Sequence, residues 1–131
     1  MRKIILDTNF LMVPFQFKVD IFSEIERICN FNYRLCVYEQ SSEELKNIIR
    51  KQRGSHKRAA RMAMQLVIAK KPAIIKKQGY VDEMILEDAD SETIVATLDT
   101  GLRKKLLSKG ISVIILRQKK YLQLLERKLY K

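Results

Sequence analysis

Histidine and cysteine are almost missing from this chain. Its 131 residues include one histidine, His56, and two cysteines, Cys29 and Cys36, with no Cys-x-x-Cys spacing. That count excludes a zinc site of the usual Cys/His kind and leaves the cysteines reduced and packed, as in a cytoplasmic protein. His56, alone in a basic stretch, takes no catalytic role. Long apolar runs are also missing. The longest, residues 10–15 and 113–116, fall well short of the roughly 20 residues a membrane helix needs. Asp7 cuts short the only apolar stretch near the start, so neither a membrane span nor a signal peptide is expected. With four glycines and two prolines, the chain has no Gly/Pro-rich linker, and it shows no repeat or low-complexity stretch. It reads as one domain over residues 1–131.

Charge of one sign is missing from whole blocks. Residues 45–81 hold eleven bases and no acid, whereas residues 82–99 hold seven acids and no base. Residues 100–131 return to ten bases against Glu126 alone, and the whole carries a net charge of +11. A chain this basic usually meets a polyanion, because binding releases condensed counterions. A lysine- and arginine-rich helix face is ordinarily just solvated. Here no acid balances it, which favours contact with a nucleic acid. With 47% apolar and 31% charged residues, the balance is that of a globular protein.

Apolar runs and helix-period stretches alternate along the chain. Strands are predicted over residues 3–6, 34–38, 93–98 and 112–116, with a short, poorly defined one inside 73–81. Helices are predicted over 20–31 with Asp20 as cap, from Ser41 to the Gly54-Ser55 break, and over 57–69, 82–89 and 99–109. Gly110 stops the last of these, and a terminal helix is predicted over 118–130. Strand–helix alternation implies an α/β fold: a three-layer α/β/α sandwich around a mainly parallel sheet of about five strands. In such a sheet the carboxyl ends of the parallel strands share one edge, where ligands bind.

Acids follow the strands. Asp7 follows the first, Glu43 and Glu44 come after the second, Asp82 follows Gly79-Tyr80-Val81, and Asp99 follows residues 93–98. Alternation alone thus sends carboxylates to one edge. At about 4 Å, a like-charged pair costs roughly 4 kcal/mol at an effective dielectric of 20, so such a cluster calls for protons, water or cations. Hard oxygen donors without His or Cys favour Mg²⁺ or Mn²⁺. Each acid also has an ordinary structural reading. Asp7, Asp82 and Asp99 are placed to cap turns or helices, and Ser41-x-x-Glu44 matches a capping box. Glu43 competes with Glu44 as the acid aimed at the edge. Glu83, Asp88, Asp90 and Glu92 read as a solvated face, with Glu83 the one most able to touch a metal.

Nearly the whole chain resembles the PIN-domain family of metal-dependent ribonucleases. The resemblance rests on Asp7-Thr8-Asn9 after the first strand, Glu44-Leu45 in a helix opening, Val81-Asp82-Glu83 opening another, and Val95-Ala96-Thr97-Leu98-Asp99 followed by Leu102-Arg103. It implies that Asp7, Glu44, Asp82 and Asp99 are the catalytic quartet and hold one or two Mg²⁺ or Mn²⁺ ions, with Thr8, Asn9 and Thr97 bracing them. It also implies hydrolysis of RNA to 5′-phosphate and 3′-hydroxyl ends. Many members place Asn before the fourth acid where this chain has Leu98, a difference that bears on the hydrogen bonds around the site. Arg50, Lys51, Arg53, Lys57, Arg58, Arg61, Arg103, Arg117, Lys119 and Lys120 are the candidate RNA contacts.

Residues 7–15 and 116–121 are similar to stand-alone archaeal members related to the nuclease that processes small-subunit rRNA. VapC-type toxin ribonucleases share the same core. The substrate is then an rRNA precursor, a tRNA or an mRNA. The family likeness further implies a homodimer, with residues 10–17 and the helix at 21–31 as candidate surfaces, and, in the toxin reading, an antitoxin protein. Two rivals remain: a non-catalytic RNA-binding module on the same fold, and a phosphate-transfer domain of another α/β class. The latter fits poorly, since Asn9 stands where a haloacid-dehalogenase-type site needs a second Asp.

Overall fold

The computed structural model describes residues 1–126. In chain order, β1 (Arg2–Leu6) leads through a 3-10 turn (Asn9–Met12) into α1 (Val13–Phe17) and α2 (Ile21–Ile28), followed by β2 (Tyr33–Tyr38), α3 (Glu39–Lys51) and α4 (Ser55–Lys70). Then come β3 (Ala73–Ile75), α5 (Val81–Asp88), β4 (Thr93–Ala96), α6 (Thr100–Ser108), β5 (Ser112–Arg117) and β6 (Tyr121–Leu125). The six strands form one sheet in the order β3-β2-β1-β4-β5-β6. The first five are parallel, and β6 pairs antiparallel with β5.

Side chains on a strand alternate between faces, and the β1 residues follow that rule. Ile4 and Leu6 enter a core with Val13 of α1, Ile21 and Ile25 of α2, Leu45 of α3, and Ala59, Ala60 and Ala63 of α4. Ile5 points the other way, into a core with Val81, Met84 and Ile85 of α5 and Leu102 and Leu106 of α6. The sheet therefore has helices on both faces, giving the predicted three layers, and β4 is buried along its whole length. The chain lays β1, β2 and β3 outward to one side, then returns to place β4 on β1's other side. The carboxyl ends of β1 and β4 thus flank a topological switch point, where open α/β sheets form their crevice.

Three readings depart from expectation. The helix predicted over residues 118–130 is not formed within the described part, where β6 occupies 121–125; its last residues lie outside the described residues. Gln118 and Lys119 adopt left-handed backbone, φ 52° and 56°, and turn the chain back along β5. Leu122 and Leu124 then join the first core with period-two spacing, so pairing with the open edge of β5 outweighs helix propensity. The capping-box alternative for Ser41 and Glu44 is also not formed. β2 runs straight into α3 at Glu39, which places Ser41 and Glu44 inside the helix. Third, Gly79-Tyr80-Val81 is not a strand end, because β3 stops at Ile75 and a loop leads into α5. In the two proposed dimer surfaces, Phe10, Leu11, Met12, Val13, Ile21 and Ile25 are buried, while Phe15, Phe17, Phe22 and Ile28 are only partly buried. With β6 added antiparallel, the sheet has six strands, in keeping with the mainly parallel sheet of about five. Cys29 and Cys36 are free and buried as expected, and among the described residues no helix is long and apolar enough to cross a membrane.

Candidate active site

The first residue beyond β1 is Asp7. Its N–H donates to the Ala96 carbonyl at 3.0 Å, extending the β1–β4 ladder by one rung. That rung fixes the backbone and buries the side chain, which is 5% exposed. One carboxylate oxygen accepts from the Thr8 N–H at 2.8 Å, and the other accepts from the Thr97 hydroxyl at 2.8 Å. Burial pushes its pKa up to about 6; the Thr97 bond opposes the rise, and Asp82 adds to it more than Glu44 does. Asp7 is thus a desolvated acid surrounded by like charge, held in one orientation.

Thr97 links a second acid. The oxygen that donates to Asp7 also accepts from the Asp99 N–H at 3.0 Å. Asp99 caps α6, its Oδ1 accepting from the Leu102 N–H at 3.1 Å. A Cβ on Gly101 would lie 3.2 Å from that oxygen, closer than ordinary packing, so the glycine keeps the carboxylate uncrowded. Leu98, where family members carry Asn, packs against the first core instead. The Asp99 backbone is held through Thr97 without it.

Glu44 sits in the second turn of α3 and is half-buried. Burial raises its pKa most; a hydrogen bond from the Thr8 hydroxyl opposes this, and Asp82 adds to the rise. The Thr8 oxygen also lies 2.8 Å from the buried Ser41 hydroxyl. Thr8 carries a single proton, so it donates to one of the two at a time. Glu43 faces away, exposed, with Lys46 at 3.5 Å. Asp82 stands in the first turn of α5, where burial and then Asp99 raise its pKa while Lys105 pulls it down.

These side chains line one cleft of about 400 Å³. Asp7, Thr8 and Asn9 enter it from β1, Glu44 from α3, Tyr80, Val81, Asp82 and Glu83 from α5, and Asp99 from α6. All four predicted acids are brought together. Glu83 joins them, as the one member of the acidic block able to do so; Asp88 is instead bound to Tyr38 at 2.6 Å and Lys77 at 2.9 Å. Asn9 lines the cleft, and among the described residues its side chain makes no hydrogen bond to the acids. Sequence reading took Ser41 for a cap and passed over Tyr80 and Lys105. The exposed aromatic two residues before Asp82 was the signal available for Tyr80. A separate groove of about 440 Å³ between α1, α2 and α4 is apolar, and its one acid, Asp20, is spent capping α2.

Among the described residues, no three side chains stand close enough to form a ready-made metal site. The donor set still fits a hard divalent cation: it is all oxygen, and the acids raise one another's pKa. Like charges without a counter-ion sit apart.

The predicted basic contacts fall into three groups. Arg50 and Lys51 end α3, Arg53 lies in the connection, and Lys57, Arg58 and Arg61 lie on α4. Lys51 is seven residues past Glu44, which places it on the same helix face about 10 Å further along. Arg50 bonds Asn47 on its own helix. Arg103 lies in the first turn of α6, its N–H donating to the Asp99 carbonyl at 3.0 Å. Arg117, Lys119 and Lys120 sit at the β5–β6 turn, at the sheet edge that carries the acids. There Arg117 donates to Gln123 at 2.6 Å, and Lys119 lies 6.0 Å from the Phe17 ring.

A sheet of this topology, with carboxylates converging where the strand order reverses, is matched over residues 4–119 by the model of the PIN-like domain family, to which this chain belongs. It is also similar to Ribonuclease VapC4 of Methanocaldococcus jannaschii, 34% identical over 128 residues that cover 95% of this chain and 97% of that protein. Among solved structures, the PIN domain endonuclease Utp24 aligns with a TM-score of 0.71 at 20% identity, covering 95% of this chain and 92% of that one. That likeness establishes the shared fold.

Proposed function

We propose that this chain is a metal-dependent endoribonuclease, acting in the cytoplasm as one nuclease domain over residues 1–131. The observation that carries the reading is the convergence of Asp7, Glu44, Asp82 and Asp99, from four separate stretches of sequence, on one cleft at the β1–β4 switch point. These four acids would hold one or two Mg²⁺ or Mn²⁺ ions. When bound, such ions supply an activated water at neutral pH and neutralise charge building on the phosphate. Asp7, whose two oxygens are held by Thr8 and Thr97, would supply one ligand, and Glu44, Asp82 and Asp99 would supply the others. Thr8 and Thr97 aim these oxygens. Arg50, Lys51, Arg53, Lys57, Arg58, Arg61, Arg103, Arg117, Lys119 and Lys120 would hold the RNA backbone, and the products would carry 5′-phosphate and 3′-hydroxyl ends.

The test is cleavage of end-labelled RNA with Mn²⁺, with chelator and by the Asp7→Asn protein. Cleavage that depends on Mn²⁺ and vanishes in the variant supports the reading. Unchanged cleavage by Asp7→Asn would falsify the assignment. RNA binding without any cleavage would make the chain a binding module on this fold.

A second question is biological role. The 34% identity to a protein named Ribonuclease VapC4 favours the VapC-type reading, with a homodimer and an antitoxin as partners. The rRNA-processing reading rests on the likeness carried by residues 7–15 and 116–121. Co-purification from native cells separates the two: a small antitoxin supports the first, and pre-ribosomal particles support the second.

A further inference from the structure

An aromatic ring stands in water at the lip of the acidic cleft. Tyr80 is 77% exposed, yet it lines the same cleft as the four acids. Among the described residues its ring and hydroxyl have no partner. Its backbone is nonetheless held. The Tyr80 carbonyl accepts from the Met84 N–H at 3.0 Å, and Gly79 enters at φ 138°, a conformation that favours glycine. The ring is therefore presented from a fixed point two residues before Asp82.

We infer that Tyr80 is a stacking platform for the nucleobase beside the cleaved phosphate. This rests on the nuclease reading above and names the residue that positions its substrate. The chemistry divides the nucleotide in two. A phosphate is repelled by the carboxylates unless a cation lies between them, whereas a neutral base meets no such penalty and gains contact with a bare ring. In an A-form duplex the base faces are covered by their neighbours, so a ring at the lip reaches none of them. An unpaired base can splay out and stack.

Two readouts test this. In chelator, a single-stranded oligonucleotide carrying 2-aminopurine should be quenched on binding the wild type, equally by Tyr80→Phe, and much less by Tyr80→Ala at saturation. With Mn²⁺, Tyr80→Ala should lower kcat/KM on single-stranded RNA roughly ten- to a hundredfold, the scale of one lost base stack, with kcat/KM restored by Tyr80→Trp. An abasic nucleotide at the stacked position should erase the difference between wild type and Tyr80→Ala, and duplex RNA should be cut poorly by both. Because Tyr80 is exposed, thermal unfolding of the variants should match the wild type. Equal quenching by Tyr80→Ala, or equal cleavage of single-stranded RNA by Tyr80→Ala and the wild type, overturns the inference. Quenching that depends on Tyr80 without Mn²⁺-dependent cleavage keeps the platform and removes the nuclease; cleavage that ignores Tyr80 does the reverse.

Discussion

On the β1–β4 side of the cleft, Asp7 has both carboxylate oxygens hydrogen-bonded, and Asp99 is tied at its N–H and at one oxygen. On the α3–α5 side, the Asp82 and Glu83 side chains have no hydrogen-bond partner among the described residues, and Glu44 has only the Thr8 hydroxyl. Asp7 hangs from a strand end locked by a ladder bond and Asp99 caps α6, whereas the second group rides on the early turns of α3 and α5. One half of the site is thus held by hydrogen bonds and the other half is freer to turn. This explains how four acids share a cleft without forming a ready-made metal cage. It also explains why burial is the largest cause of the raised Asp7 pKa, with repulsion a smaller one.

Removing the rigid centre should do most. Asp7→Asn is expected to lower cleavage at least about 10³-fold, the scale of losing a principal electrostatic group, while RNA binding stays the same or tightens because one repelling charge is gone; single-turnover assays and filter binding read the two. Next comes Thr97→Val, which keeps the volume but takes the hydrogen bond from Asp7 and leaves the Asp99 N–H without its acceptor. A drop in metal affinity or activity of roughly ten- to a hundredfold is expected, with about 1–3 kcal/mol of stability lost in urea unfolding.

The adjustable side should respond less. Glu44→Gln is expected to cost roughly tenfold in activity, visible chiefly as a higher Mn²⁺ requirement, whereas Glu43→Gln should stay within about twofold because its partner is an exposed Lys46. Equal effects would erase the distinction between the two glutamates. A further effect is thermodynamic and is read in stability rather than cleavage. Asp7 in the folded chain titrates near 6 against 3.8 unfolded, so the folded state binds that proton more tightly. Its contribution is complete below about pH 4 and is lost as pH rises toward 6, with an upper bound of about 3 kcal/mol. Other acids with lowered pKa tilt stability the opposite way. The Asp7 contribution is therefore read as the difference between wild type and Asp7→Asn in metal-free urea titrations at pH 4 and pH 7. A difference that does not change with pH would mean that Asp7 is solvated.

Much of this was legible because it depends on local pattern. The β-branched, apolar runs at 3–6 and 93–98 form strands whichever way the chain goes on, and an acid placed just after such a strand must emerge at its carboxyl end. Asp7 and Asp99 are therefore readable from order alone. Residues 118–125 were not. Tyr121, Leu122 and Leu125 suit a helix as well as a strand, and the tie was broken by the unpaired edge of β5, which no local window contains. Ser41 and Glu44 matched a cap because sequence cannot show that β2 passes into α3 without a turn. Glu83 and Tyr80 resemble any polar helix start until the loop after β3 swings α5 over the cleft.

Taken alone, the residue order determined the alternation of elements, the separation of basic and acidic blocks and the identity of the strand-end acids, since each depends on neighbours a few positions away. Tertiary structure alone decided that those acids share a space of about 400 Å³, that the Thr97 hydroxyl joins two of them and that a bare ring stands at its lip. The reason is that such contacts join residues up to ninety positions apart, and only the packing of helices on both faces of the sheet brings them within reach.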